Sequence, residues 1–110
     1  MERINGIEVT SDISTLCHFI GLDGRNKGIY HRHGKAYYKP YRNYFFGKKK
    51  DSSFECFEED GILKQTSEPE YPDKNGNTFW WLTRKGLDFI GEKINCRIYD
   101  ESDWKRVEGA

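Results

Sequence analysis

Hydrophobic positions change their spacing several times along this chain, and each change marks an element. Ile13, Leu16, Cys17 and Ile20 fall at i, i+3, i+4 and i+7, one face of a helix, so a first helix is predicted from Ser11 to Gly21. Thr10 or Ser11 can cap its first turn, and Gly21 can end it. Ahead of it, Ile4, Ile7 and Val9 flank Asn5-Gly6, a short strand or turn signal. Residues 22–28 hold two glycines, an aspartate and an asparagine and read as a loop. Two runs of β-formers, 29–32 and 35–38, then flank His33-Gly34, which predicts a hairpin.

Pro40 suits the first position of a helix and Gly47 its end, so a second helix is expected from Pro40 to Phe46, with Lys48, Lys49 and Lys50 at its negative dipole end. Ser52 with Glu55 three residues on forms a capping box for a third helix from Ser53 to Asp60, with Phe54 and Phe57 on its inner face and Gly61 closing it. Residues 62–66 and 78–82 read as strands joined by a long loop containing Pro69, Pro72 and Asn75-Gly76. Thr83 can cap a fourth helix running to about Ile94, with Leu87, Ile90 and Ile94 inward. The order predicts one α+β domain over 11–95, preceded by an arm at 1–10 and followed by a charged tail at 96–110, from which Ile98, Tyr99 and Trp104 can dock.

Composition changes that picture in one respect. At 35% hydrophobic and 33% charged, the 110-residue chain is poor in aliphatic core. Its 15% aromatic content compensates, because each buried ring removes about 150–250 Å² from water. An aromatic core is therefore expected. Three cysteines with no CxxC pair point to reduced thiols rather than a disulfide framework. No apolar run nears the roughly 20 residues a membrane span needs, and Met1-Glu2-Arg3 leads into no signal region, so a cytoplasmic protein is expected.

The run Phe57-Glu58-Glu59-Asp60-Gly61-Ile62-Leu63, a loop, and then Trp80-Trp81-Leu82-Thr83-Arg84-Lys85-Gly86 resembles the helix, D-G-hydrophobic, wing, L-T-x-x-G run of MarR- and PadR-type winged-helix repressors over about 52–91. The resemblance implies a winged-helix-like fold in the order helix-strand-helix-helix-strand-wing-strand-helix. The middle of the chain, from His33-Gly34-Lys35 to Tyr41-Arg42-Asn43-Tyr44-Phe45, also resembles small uncharacterised phage and prophage proteins, which implies a viral accessory protein acting in the host cytoplasm. One departure matters. The repressors' third helix reads the major groove, whereas here Asp51, Glu55, Glu58, Glu59 and Asp60 would face a polyanion, with no Arg, Lys, Asn or Gln in 51–60 to read base edges.

Net charge is zero, but residues 25–50 carry nine cations and no acid, so any nucleic acid should be met there. In that block Arg32, Lys35, Lys39, Arg42, Lys48, Lys49 and Lys50 can neutralise phosphates, and Tyr41 can stack on a base. Tyr44, Phe45 and Phe46 are assigned chiefly to the core. His31 and His33 match no structural zinc spacing and read as an exposed hairpin-tip pair. No nucleophile with a base, carboxylate pair or P-loop emerges, so a non-enzymatic binding protein without cofactor or metal is expected. Its partner would be DNA or RNA. The alternative is an inhibitor of a host defence nuclease or effector, anti-CRISPR-like, presenting Glu55, Glu58 and Glu59 to a basic groove.

Overall fold

Asn5-Gly6 and His33-Gly34 both adopt left-handed backbone, and each closes a two-residue hairpin, as the sequence pattern predicts. In the computed structural model, which describes residues 2–100, the first hairpin joins β1 (Arg3–Ile4) to β2 (Ile7–Glu8), and α1 (Ser11–Phe19) follows. Thr10 caps α1 through a hydrogen bond from the Ile13 N–H. The second hairpin joins β3 (Tyr30–Arg32) to β4 (Lys35–Tyr38). Then come β5 (Phe45–Lys48), α2 (Ser52–Glu59), β6 (Leu63–Gln65), β7 (Asn77–Leu82), α3 (Arg84–Ile94) and β8 (Cys96–Ile98). The described residues thus form one α+β domain with three helices and eight strands in three sheets, ordered β1-β2, β3-β4-β8 and β5-β7-β6.

The expected helix from Pro40 to Phe46 is absent; its end is strand β5, which pairs antiparallel with β7. Two effects decide this. Seven residues are too few to repay helix nucleation without tertiary help. The help goes to the extended form: the Asn43 side chain donates to the Leu82 carbonyl at 2.8 Å and accepts from the Leu82 N–H at 2.8 Å, so an amide stands in for a strand residue beside β7. Beyond it the aromatics alternate, with Phe45 turned inward and Tyr44 and Phe46 turned out.

A second correction concerns α2. Its cap is Asp51, which accepts from the Phe54 N–H at 3.1 Å, and Ser52 is already the first helical residue. The capping residue sits one position earlier because aspartate there also places negative charge at the helix N-terminus.

The core is aromatic at its centre. Phe19 stacks on Phe45 at 5.1 Å between ring centroids, and Phe54 meets Phe19, Phe45 and Trp80 edge-on at 5.4–5.6 Å. Such pairs add about 0.5–1.5 kcal/mol each beyond the area they bury, which lets few residues do the work of many aliphatics. β7 alternates strictly, with Thr78, Trp80 and Leu82 buried beneath the helices.

The D-G-I and L-T-x-x-G segments lock together. Thr83 caps α3 by accepting from the Gly86 N–H at 3.0 Å, and its hydroxyl donates to the Gly61 carbonyl at 2.6 Å. The Thr83 N–H donates to the Ile62 carbonyl at 3.0 Å. A Cβ on Gly86 would lie 2.2 Å from that carbonyl oxygen, so only glycine lets α3 approach so closely. At its far end α3 closes on left-handed Asn95, and β8 runs parallel to β4 with Ile98 buried, carrying the fold past residue 95. Trp104 lies outside the described residues.

Candidate functional site

The register of the β3-β4-β8 sheet sorts its side chains onto two faces. Ala36, Tyr38, Cys96 and Ile98 point into the core. On the outer face Arg32 stands opposite Lys35, Tyr30 opposite Tyr37, and Tyr37 opposite Arg97. The three tyrosines form a ladder: Tyr30 stacks on Tyr37 at 5.5 Å and 22°, and Tyr37 on Tyr99 at 6.1 Å and 9°. The Arg97 guanidinium lies 5.7 Å from the Tyr99 ring centroid. Arg32, Lys35 and Arg97 are exposed and form no ion pair among the described residues. The face therefore combines three open cations with a tyrosine stack. A groove of about 440 Å³ adjoins it, with Lys35, Tyr37 and Arg97 among its lining residues and Asp88 and Glu92 contributed by α3. Those acids mark the limit of the cationic strip, and Asp88 is itself paired to Arg84 at 2.6 Å.

The other basic residues go elsewhere. Lys39, Tyr41 and Arg42 lie on the connector between β4 and β5, with Tyr41 and Arg42 against the C-terminal end of α1. There Arg42 donates to the His18 carbonyl at 2.9 Å and lies 5.6 Å from the Tyr41 centroid, while the Tyr41 ring rests against Gly21. Lys48, Lys49 and Lys50 end β5 beside the long hairpin loop, where the Lys48 ammonium donates to the Asn75 carbonyl at 2.7 Å. Of the named cations, the structure brings Arg32 and Lys35 together on one sheet face.

Arg97 and Tyr99, assigned from sequence to a charged tail, complete that face. The signal was present: after Asn95, the run Cys96-Arg97-Ile98-Tyr99 alternates buried and outward residues with the period of a strand.

Tyr44 and Phe46 depart from their expected place in the core. They are 53% and 42% exposed on the outer face of β5-β7-β6, clustered edge-on with Phe79 and Tyr71, while Phe45 alone of the three packs inward. Period-two alternation replaced the helical spacing that would have buried them.

On α2, Glu55 and Glu59 are exposed, whereas Glu58 is half-buried and accepts from the Gln65 amide at 3.1 Å. His33 sits in the hairpin turn and His31 points to the face opposite Arg32. Among the described residues no group of three or more His, Cys, Asp or Glu is placed to hold a metal ion, and no helix is long and apolar enough to cross a membrane.

Near the arm, the Glu2 carboxylate accepts from the Ser14 hydroxyl, the Gly24 N–H at 2.9 Å and His18 Nε2 at 3.2 Å. The Ser14 bond, followed by the Gly24 N–H and His18, holds Glu2 below the usual glutamate range. Burial pushes the Cys17 thiol up to about 12 and the Cys96 thiol up to about 11, while Cys56 is exposed on α2. A disulfide-exchange reagent at pH 8 is therefore expected to titrate one thiol in the native protein and three after denaturation. Rapid native reaction of two or three would contradict this packing.

Compared with protein-family models, curated proteins and solved structures, the chain has no match.

Proposed function

We propose that this protein binds nucleic acid, without catalysing a reaction on it, through the outer face of β3-β4-β8. The observation that carries the reading is the placement of exposed Arg32, Lys35 and Arg97 on the same sheet face as the Tyr30-Tyr37-Tyr99 stack. Cations release counterions from a phosphate chain and supply affinity, and aromatic faces take up bases. Lys39, Arg42 and the lysines at 48–50 extend the positive field along the chain and assist encounter.

The winged-helix likeness enters as part of this reading. Helix, strand, long loop, strand and capped helix follow one another over 52–94, with Gly61 left-handed after α2 and Thr83 capping α3. That run supports a winged-helix-like arrangement over 52–94, without, among the described residues, the additional helix that such domains place ahead of it. Its α2 is acidic and carries no Arg, Lys, Asn or Gln, so contact passes to the sheet formed by the 30–38 hairpin and β8.

Fluorescence anisotropy with labelled single-stranded and duplex oligonucleotides tests the proposal. Replacing Arg32, Lys35 and Arg97 together by Ala should lower affinity at least tenfold. It should also flatten the slope of log affinity against log salt by about 2, since each phosphate neutralised on a single strand contributes roughly 0.7 to that slope. No binding to any DNA or RNA at low salt, or a triple variant that binds like wild type, overturns it.

A further inference from the structure

The tyrosine stack has two different ends, and the difference selects a class of nucleic acid. Tyr37 is flanked on both sides, by Tyr30 and by Tyr99, and Tyr99 has Tyr37 on one side and the Arg97 guanidinium nearby. Tyr30 has a ring neighbour on one side only among the described residues. It stands on β3, the edge strand of the sheet, and is 39% exposed. Strands are about 4.8 Å apart, so the stack runs across the sheet strand by strand and stops at Tyr30 with no further strand beyond.

We infer that the ligand is single-stranded and that one of its unpaired bases continues the stack on Tyr30; this rests on the nucleic-acid reading above. A base inside a duplex is stacked above and below by its neighbours and has no free π-face to offer. An unpaired base does, and it would lie against Tyr30 where another strand's side chain would otherwise come. Arg32 projects from the same edge strand on the same face, two residues or about 7 Å along, next to Lys35. That places a guanidinium and an ammonium beside the phosphate flanking the stacked base. Tyr41, the stacking residue expected from the sequence, is 75% exposed but stands apart from this stack, with its ring against Gly21 and Arg42 alongside.

The test compares Tyr30→Ala and Tyr30→Phe in the full chain, using single-stranded DNA, single-stranded RNA and a linear, fully paired duplex of matched composition. Tyr30→Ala should weaken single-strand binding about tenfold to a hundredfold, as loss of one stacking platform does. Tyr30→Phe should bind like wild type, and duplex affinity should stay low and unchanged in both. A strand carrying 2-aminopurine should lose emission on binding wild type and Tyr30→Phe, and keep it with Tyr30→Ala. The native thiol titration of each variant reports whether it has folded. Equal binding of single strand and duplex, or equal losses on both with Tyr30→Ala, overturns the inference while the nucleic-acid reading stands. Binding to none of the three overturns both.

Discussion

Gly86→Ala is expected to destabilise the protein by about 3 kcal/mol, the upper part of the range for overpacked sites, although the same change inside an ordinary helix would stabilise it by about 1 kcal/mol. The sign reverses because the added methyl would lie 2.2 Å from the Ile62 carbonyl oxygen and 2.9 Å from Leu82 Cδ2. The carbonyl has little room to retreat: Ile62 donates its N–H to the Phe57 carbonyl at 2.8 Å and accepts from Thr83 at 3.0 Å. Native stabilities are only about 5–15 kcal/mol, so the loss is a large fraction of the total. Guanidinium unfolding followed by far-UV circular dichroism measures it. Lys85→Ala, at the exposed neighbouring position, serves as control and should be near neutral. A Gly86→Ala protein as stable as wild type would mean that α3 does not approach Ile62 as described.

Trp80→Ala should cost about as much or more, about 3–5 kcal/mol, the range for emptying a buried large aromatic site. Trp80 is fully buried at the middle of the central strand, edge-on to Phe54, and its indole N–H donates to the Lys48 carbonyl at 3.2 Å. Trp80→Phe keeps much of the packing and loses the donor, so a smaller loss of about 1–2 kcal/mol is expected. The ratio of the two effects, read from the same unfolding curves, separates packing from hydrogen bonding. If Trp80→Ala unfolds at the wild-type denaturant midpoint, the aromatic centre is not what holds the sheet to the helices.

The elements read correctly from sequence are those whose signals are local. Asn5-Gly6 and His33-Gly34 specify their turns by backbone preference alone, and Thr10 and Thr83 cap helices whose apolar spacing follows at once. The segment 40–46 failed because its decisive partner, the Leu82 backbone clamped by Asn43, lies 39 residues away. β8 carries its alternation over only three residues of a charged stretch, too short to decide by itself, and β4 completes it by offering a parallel edge. For the candidate site, the cations of 25–50 were legible from charge clustering. Which of them share a face was not, since that depends on strand register and on Arg97 and Tyr99, about 60 residues downstream of the hairpin. The exposed ring of Phe46 was missed because three adjacent aromatics look the same at helical and strand spacing until the backbone chooses.

The lock between Thr83 and the Gly61-Ile62 turn fixes where β6 and β7 begin to pair, and it does so from the base of their hairpin rather than from its tip. Strand register is thereby decoupled from loop length. Residues 67–70 are all exposed, and each doubling of such a loop adds only about 0.6 kcal/mol of closure entropy. This stretch is consequently the part of the chain that can accept inserted sequence, a tag or a foreign epitope, while the sheet beneath it keeps its geometry.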